Sequence, residues 1–286
     1  MPNTDDARAV LLTGANGGVG RATARALAEH GFQVFAGTRS EAGGLAEIPG
    51  VRVLPLDVTD PGSIADAVRE VRGAADGGLH AVINNAGIIV QGPLELVPAD
   101  ELRRQFEVNV FGPAAVTRAF LPMLRSGRGR VVNVSAATAR VAGPFFGPVS
   151  ASKAALASMS DALRLELAHW GIHVVVVEPG LLDTPIFAKS AASTARTAAA
   201  LPPEQVAMYR EQLAAVTAAM GAGKPAPPSI VARAVVRALT APRPRPRYTV
   251  GPDTRLLGLV ARLPLRTRDR LLSRVVGLRG IAPAKG

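Results

Sequence analysis

The sequence contains no cysteine, which excludes disulfide bonds, thiolate metal sites and cysteine nucleophiles. The same absence fits a reducing compartment, and we therefore expect a cytoplasmic protein. Aromatic residues make up only 4% of the chain, and two of them are tyrosines, Tyr209 and Tyr248. No apolar run reaches the ~18 residues that a membrane-spanning helix needs, and residues 1–8 lack the apolar core of a signal peptide. The chain is expected to be soluble.

Apolar residues, in contrast, are plentiful: they form 48% of the 286 residues, enough for one large core. Up to about residue 180, short β-branched runs alternate with longer segments of helical period, a pattern typical of βαβ units. The predicted strands are 9–12, 33–36, 51–54, 81–83, 130–134, 173–177 and 248–250, and the predicted helices are 19–30, 63–71, 100–124, 150–170 and 229–239. The sequence therefore predicts an α/β fold, a single domain over residues 1–286 with a doubly wound, Rossmann-like parallel sheet.

Two segments depart from this alternation. Residues 183–228 are rich in alanine, helical in period and interrupted by prolines, and we interpret them as a substrate lid within the same domain. Residues 252–286 are predicted to form a basic helical extension. The formal net charge of +11 is concentrated at this end, because residues 241–286 hold eleven Lys and Arg against two Asp, a local charge of +9.

Three interpretations of the basic extension stay open. Its leucines and valines recur at helical spacing, as in helices that dock on a core and leave a solvated outer face. Weak contact with an anionic membrane surface is the second interpretation. Nucleic-acid binding is the third interpretation, and we expect no such partner because Tyr248 is the only aromatic side chain in residues 241–286. We favour the docked helices.

A glycine-rich turn directly follows the first predicted strand. It reads Thr13-Gly14-Ala15-Asn16-Gly17-Gly18-Val19-Gly20 and leads into the first predicted helix. Glycines at such a junction let the backbone approach a pyrophosphate, while the helix N-terminus offers N–H donors and the positive end of its dipole. The turn therefore predicts a dinucleotide site.

The end of the second predicted strand indicates which dinucleotide binds. A site for NAD usually places a carboxylate there for the ribose 2′-hydroxyl. Here the strand ends in Gly37-Thr38-Arg39, and the next acid is Glu41. Since the guanidinium of Arg39 can pair with a 2′-phosphate, we predict that the cofactor is NADP(H).

With these residues placed, the chain resembles the short-chain dehydrogenase/reductase family, from about residue 7 to residue 184 and more loosely to residue 250. Six motifs occur in the family's order. They are the glycine-rich turn, Asp57-Val58, Asn84-Asn85-Ala86-Gly87, Asn109-Val110, Ser150-Ala151-Ser152-Lys153 and Pro179-Gly180-x-x-x-Thr184.

The resemblance implies a role for each of these motifs. Asp57 and Val58 would border the adenine. The segment Asn85-Ala86-Gly87 would support the sheet and the cofactor ribose. The nicotinamide side would be held by three further residues, Pro179, Gly180 and Thr184.

The resemblance also implies the reaction, a hydride transfer between the nicotinamide and a carbinol or carbonyl carbon. In the family, a tyrosine four residues before the lysine supplies the proton, and a serine thirteen residues before that tyrosine polarises the oxygen. The lysine lowers the pKa of the tyrosine and binds the ribose, and an asparagine connects the lysine to water. Lys153 and Asn109 are present, but the other two positions hold Val149 and Ala136. Hydrocarbon side chains neither donate nor accept protons.

Two residues are candidates for the missing groups. Thr138 shares the strand parity of Ala136, so we predict that it is the substitute polariser. Tyr209 lies in the predicted lid and is the candidate that swings over the pocket as proton donor. Ser135 and the two serines beside the lysine are one residue off the required faces, and we expect them to point elsewhere.

Three functions stay open. The first is an atypical NADP(H)-dependent oxidoreductase whose substrate needs little help from a protein proton donor. Either the substrate is already activated, as an iminium, a quinone or a conjugated enone, or water or Tyr209 donates the proton. The second is a redox-neutral enzyme, such as a cyclase, an isomerase or an elimination catalyst. The third is a catalytically silent cofactor-binding protein. We favour the first, because Asn109, Lys153 and Thr184 are present together with the phosphate-binding turn.

Apolar residues around the altered positions, such as Phe145, Phe146 and Phe187, predict a medium-sized apolar substrate of the polyketide, terpenoid, steroid or fatty-acyl kind. The resemblance implies a homo-oligomer, a dimer or tetramer built through the two long helices. No metal site is expected, because Gly171 interrupts the helix between His169 and His173.

Overall fold

The computed structural model describes residues 8–40, 43–75 and 78–281. In it seven strands form one parallel sheet, in the order β3-β2-β1-β4-β5-β6-β7. The strands are β1 (Ala9–Thr13), β2 (Gln33–Thr38), β3 (Val51–Pro55), β4 (Ala81–Asn84), β5 (Arg130–Val134), β6 (His173–Pro179) and β7 (Arg247–Val250). The strand order reverses between β1 and β4, and in such sheets the crevice at the carboxyl ends of these strands is where ligands bind. The predicted doubly wound fold is confirmed.

Helices cover both faces of the sheet. They are α1 (Gly18–Glu29), α2 (Pro61–Ala74), α3 (Ala99–Phe106), α4 (Gly112–Ser126), α5 (Gly147–Leu167), α6 (Ile186–Ala199), α7 (Pro203–Met208), α8 (Arg210–Gly221), α9 (Ser229–Thr240), α10 (Pro252–Val260) and α11 (Leu265–Val275). Alternate residues of β1 enter the two cores, since Val10 and Leu12 pack with α1 and α9 while Leu11 packs with α2 and α4. The near-continuous apolar runs of the central strands follow from this burial on both faces.

The helix predicted over residues 100–124 is confirmed in extent, but it is not α-helical throughout. The chain forms α3, then a π-helical turn over Glu107–Phe111, then α4. The turn contains Asn109, which is wholly buried. Its side-chain N–H donates to the Ile88 carbonyl at 3.0 Å, and its side-chain oxygen accepts the Ile88 N–H at 2.9 Å. A π-turn inserts one extra residue into a helix and often marks a functional site; hydropathy periodicity does not reveal it.

The segment predicted as a lid leaves the sheet after β6 and returns beside its starting point. Leu182 and Ala226 form a parallel bridge, and the Asp183 N–H donates to the Ala226 carbonyl at 2.9 Å. Between these ends the chain forms α6, α7 and α8. The predicted helical character is confirmed, and the role as a lid stays a prediction.

The basic extension forms α10 and α11 within the described residues. Helix α10 packs against β7 and against a short 3-10 turn at Ala137–Ala139, whereas α11 has no buried residue. Among the described residues, no helix is both long and apolar enough to span a bilayer. The extension is therefore a pair of surface helices.

Candidate active site

The glycine-rich turn is pressed so closely against its surroundings that side chains do not fit. Gly14 adopts φ 63°, and a Cβ built on it would lie 2.7 Å from the Cα of Ala86. A Cβ on Gly20 would lie 2.3 Å from the Gly14 carbonyl oxygen, and one on Gly18 would lie 2.9 Å from Cγ2 of Thr184. The turn thus presents bare backbone at the N-terminus of α1, opposite Thr184, as a pyrophosphate site requires.

Two side chains fix this turn to the end of β4. The hydroxyl of Thr13 accepts the N–H groups of Asn85 and Ala86 at 3.1 and 3.0 Å. The Asn85 amide donates to the carbonyls of Thr13 and Gly14, both at 3.0 Å. Both residues lie at the predicted site, where their contacts are with the backbone of the turn.

At the carboxyl ends of β2 and β3, a cation and a carboxylate lie close to each other. Arg39 is exposed directly after β2. Burial raises the pKa of Asp57, but its hydrogen bonds from Thr59 and the charge of Arg39 outweigh this, and the pKa lies below its usual value. Asp57 accepts the N–H and hydroxyl of Thr59 at 2.9 and 2.7 Å, and the neighbouring Val58 is buried. The ends of β2 and β3 thus place the guanidinium of Arg39 close to the apolar side chain of Val58.

Sequence reasoning missed a second guanidinium near this corner. Arg21 donates to the Asn16 carbonyl at 3.2 Å, and it also bonds the Asn16 side-chain oxygen and the Gly43 carbonyl. The Asn16 amide in turn donates to the Ser40 hydroxyl at 3.2 Å. The only signal in the sequence was the position of Arg21 immediately after the last glycine of the turn.

Lys153 lies on α5 with its ammonium group buried under the end of β5. Its Nζ donates to the Val134 carbonyl at 2.8 Å and lies 3.5 Å from the position that a Cβ on Gly87 would take. Only 9% of the residue is exposed, and burial lowers the pKa of this amine to about 8. Lys153 is therefore an amine that can gain or lose a proton near neutral pH.

The two altered positions flank this lysine. Val149 is buried one turn before Lys153 on α5, and Ala136 follows β5 in extended conformation. Ser135 turns away, as predicted, because its hydroxyl donates to the Lys153 carbonyl at 3.0 Å. The hydroxyls of Tyr209 and Tyr248 bond elsewhere, to Glu95 at 2.5 Å and to the Arg245 N–H at 3.2 Å.

The prediction that Thr138 points to the same side of a strand as Ala136 is wrong. Strand β5 ends at Val134, and Ala137–Ala139 form a 3-10 turn. The alternation of side chains along a strand therefore stops before it reaches Thr138. Thr138 is half-buried beside Ala136, and its role stays a prediction that rests on this proximity alone.

Tyr209 connects the predicted lid to two loops near the site. Its ring meets Phe145 edge-on, with centroids 6.2 Å apart. Phe145 lies two residues before the start of α5 and adopts φ 67°, which is unusual for a bulky residue. The hydrogen bond to Glu95 raises the pKa of Tyr209, so the phenol is held in its protonated form with Glu95 as its partner.

A buried polar cluster behind Lys153 was also missed. Gln105 is wholly buried, and its amide donates to the Ser152 hydroxyl and to the Ile88 carbonyl, both at 3.0 Å. Ser152 also accepts from Asn109 at 3.3 Å and donates to the Val149 carbonyl at 2.9 Å. The cluster fixes α5 against the segment that follows β4. Gln105 lies one turn before Asn109, but a buried glutamine gives no distinctive sequence signal.

A second charged cluster supports the end of β6. Glu178 is wholly buried and pairs with Arg140 at 2.6 Å and with Arg247 at 2.7 Å. Arg247 also pairs with Asp161 of α5. Since Arg140 follows the turn that contains Thr138, these ion pairs tie that turn to β6 and β7.

The predicted nicotinamide loop is attached to the C-terminal extension. A Cβ on Gly180 would lie 2.1 Å from a carboxylate oxygen of Asp253, so a side chain there would displace this carboxylate. The other oxygen of Asp253 accepts the Leu181 N–H at 3.0 Å. The start of α10 therefore fixes the backbone that follows Pro179.

A small apolar cavity of about 50 Å³ lies between the segment 89–98 and helices α6 to α8. Its walls are largely aliphatic and include Leu96, Val97, Leu201, Val206 and Leu213. Lys153 and Val149 are not among its lining residues. The cavity therefore adjoins the lid and not the reacting position.

The fold and this site define a class of Rossmann-like dinucleotide-binding proteins, with a bare glycine turn where the strand order reverses and a buried lysine at the end of β5. Residues 8–195 match the model of the family described as short chain dehydrogenase. Mouse retinol dehydrogenase 5 is 36% identical over 278 residues, which cover 92% of this chain and 87% of that protein. The chain belongs to the short-chain dehydrogenase family.

Two further relatives bear on the site. A 3-amino-tetrahydro-pyrrolizinone reductase of Xenorhabdus hominickii is 38% identical over 183 residues, and the match spans 64% of each protein, less than two thirds of the reductase. A short chain dehydrogenase of Burkholderia cenocepacia J2315, solved in complex with NADP, is 28% identical. It superposes with a TM-score of 0.70 over 94% of this chain and 97% of that one.

Proposed function

We propose that this chain is an atypical NADP(H)-dependent oxidoreductase that reduces an already activated, medium-sized apolar compound. The observation that carries the proposal is the buried Lys153 beside a complete glycine turn, with Val149 where the family has its tyrosine. A substrate such as an iminium, a quinone or a conjugated enone accepts hydride with little proton assistance. A simple ketone needs more, and positioned acids typically contribute about 10² to 10⁴ in rate.

The residues present fit NADP(H). The three glycines whose Cβ atoms would clash leave room for backbone donors only, which suits a pyrophosphate. Arg39 supports a 2′-phosphate, with Arg21 close to the same turn. When bound, the nicotinamide supplies the hydride. The Burkholderia structure with NADP supports this choice of cofactor.

For the proton we propose Lys153. Its amine is the buried ionisable group next to Val149, and its pKa of about 8 suits proton donation near neutral pH. As a quinone or an enone gains hydride, a proton from Nζ would reach its electron-rich atom directly or through one water, and bulk water would then reprotonate the amine. An iminium needs no proton, because hydride addition to its carbon leaves a neutral amine. Asn109 holds the segment that carries Ile88, and Thr138 is the candidate polariser.

Tyr209 serves as proton donor in this proposal only if its bond to Glu95 breaks. The bond and the ring contact with Phe145 both favour its present position. We therefore propose Tyr209 as a residue that closes the lid over the substrate. In that position its ring would border the pocket while Lys153 handles the proton.

An apolar substrate is supported by the surroundings. The cavity beside the lid is too small for the substrate and does not include Val149 or Lys153, but its aliphatic lining shows that the lid helices carry apolar side chains on this side. The names of the relatives point the same way: one is a dehydrogenase of retinol and another reduces a pyrrolizinone, a nitrogen heterocycle.

We further propose a homo-oligomer in the cytoplasm. Apolar side chains lie exposed on the outer side of α5, namely Met159 and Leu165, and at the end of the π-turn before α4, namely Phe111. A second copy would cover them, because exposed apolar patches mark interaction sites. The cysteine-free composition supports the cytoplasm.

The proposal is tested by mixing the wild-type chain and NADPH with a panel of a quinone, a cyclic iminium and a conjugated enone, and with a simple ketone. We expect NADPH consumption with at least one activated compound and very little with the ketone. Conversion of a compound without NADPH consumption would instead establish a redox-neutral enzyme. If NADPH binds and no compound reacts, a silent binding protein is the conclusion.

A further inference from the structure

We propose that α10 and α11, with the link 261–264 between them, form a docking face for an anionic lipid surface. On this docking face Leu256 and Leu259 are 64% and 61% exposed, and Val275 is 66% exposed. Leu263, Leu265 and Leu271 are exposed as well. These side chains lie on two short neighbouring helices, so the apolar surface is concentrated rather than scattered.

The same helices carry a row of cations. Arg266, Arg270 and Arg274 recur every four residues on α11 and therefore lie along one side of the helix, whereas Leu265, Leu271 and Val275 lie on the other. Among the described residues of the docking face, the only ion pair is Arg268 with Asp269, at 4.0 Å. Most of the positive charge is therefore free to meet an external anion.

The helices dock on the core only in part, because α10 packs against β7 and the Ala137–Ala139 turn while apolar side chains on the outer side stay exposed. Helix α11 has no buried residue, and α10 buries only Thr254 and Val260. The six exposed apolar side chains thus remain uncovered within the described chain, while Leu257, Leu272 and Val276 are half-buried. The face is arranged as in helices that lie in a membrane interface, with an apolar side towards the acyl chains and arginines at the level of the headgroups.

A lipid surface is favoured over a second copy of this face. Two such faces would bring two sets of arginines together, and like charges repel. An anionic leaflet attracts each basic side chain near its surface, by about fivefold in affinity. Leucines inserted among the headgroups add the burial of apolar surface.

The docking face borders the candidate active site. Helix α10 begins beside Asp253, which binds the Leu181 N–H, and it packs against the Ala137–Ala139 turn. Beyond α11, a Cβ on Gly277 would lie 3.6 Å from the Cβ of Ala215 on α8. Docking would therefore place both the lid and the nicotinamide loop next to the bilayer. The supply of an apolar substrate from the bilayer rests on the proposed function, whereas lipid binding does not.

Co-sedimentation of the full chain with vesicles tests the proposal. We expect binding to vesicles of phosphatidylcholine mixed equally with phosphatidylserine, at least about tenfold weaker binding to phosphatidylcholine alone, and release at high salt. The variant Arg266→Gln/Arg270→Gln/Arg274→Gln should bind the mixed vesicles about 100-fold less tightly. The matched control Arg25→Gln/Arg72→Gln/Arg103→Gln removes the same charge from other surface helices and should retain most of the binding.

The apolar part is tested by Leu256→Ser/Leu259→Ser, which should also lose vesicle binding while keeping its oligomeric state. Equal losses in the triple-arginine variant and its control would overturn the proposal, as would wild-type chain that stays in the supernatant with the mixed vesicles. If the leucine variant dissociates an oligomer and binds vesicles normally, the face is a contact between copies. Because sedimentation does not depend on turnover, failure of the proposed reductase activity would leave these results intact.

Discussion

Val149 and Lys153 lie one turn apart on α5, with both side chains buried beside the end of β5. The valine places an isopropyl group where the family resemblance implies a phenol. The lysine keeps its place, donates to the Val134 carbonyl and has a pKa lowered to about 8 by burial. Within the described residues neither tyrosine hydroxyl bonds this lysine. At this pair the site keeps the family's lysine but lacks the tyrosine that usually donates the proton.

Restoring the phenol should restore ordinary ketone reduction. We predict that Val149→Tyr/Ala136→Ser raises kcat/KM for a simple ketone by about 10² to 10⁴, the usual contribution of a positioned acid. The measurement is NADPH consumption across a ketone panel. The matched control Val149→Phe/Ala136→Ser adds the ring without the hydroxyl and should stay inactive. A folded, NADPH-binding double variant with no gain would argue against Val149 occupying the proton-donor position.

Arg39 should decide between the two dinucleotides. Because a charge-assisted hydrogen bond contributes about 1.5–3 kcal/mol, Arg39→Ala should weaken NADPH binding by about 10- to 100-fold and leave NADH binding unchanged. Fluorescence titration of both dinucleotides measures this. Arg52→Ala, which removes another exposed arginine paired with Glu70, should change neither affinity. Equal affinity of the wild-type chain for NADPH and NADH would rule out the assignment.

Lys153 should make stability depend on pH. Its pKa is lower in the folded chain than in the unfolded chain, so charging it opposes folding. This cost is fully present below pH about 8 and disappears as the pH rises towards the unfolded value, about 10.4. We therefore predict that Lys153→Met raises the free energy of unfolding by roughly 2–3 kcal/mol at pH 7 and by clearly less at pH 10. Urea unfolding at both pH values is the measurement, and an equal gain at both would show that the buried charge is not the cause.

Gly180 and Asp253 should behave as a coupled pair. Gly180→Ala should cost about 1–3 kcal/mol of stability, because its Cβ would meet the Asp253 carboxylate. Asp253→Ala leaves the Leu181 N–H without its acceptor and should cost about 1 kcal/mol or more. The double variant should be more stable than the sum of the two losses implies. Simple additivity in a double-mutant cycle would contradict the contact.

Much of the fold was predictable, because the central strands are apolar on both faces and glycine marks the first junction. The failures share one cause, that tertiary contacts override local pattern. Asn109 introduces a π-turn into a segment that is periodic as one helix, and the chain turns before Thr138 although strand parity extends to it. Gln105 and Arg21 were missed because their roles depend on partners distant in sequence.

Deuterium transfer tests the proposed hydride chemistry most directly. The wild-type chain is incubated with NADPH deuterated at C4 of the nicotinamide and with the activated compounds, and the products are analysed by mass spectrometry. We predict deuterium bonded to carbon in the reduced product of the iminium or the enone. A quinone is followed by oxidation of the deuterated NADPH instead, because its hydroquinone keeps no label on carbon. Lys153→Met should slow the enone reaction, which takes up a proton. Conversion of a compound with bound cofactor, no deuterium in the iminium or enone product and no oxidation of NADPH would contradict the proposal and leave a redox-neutral enzyme.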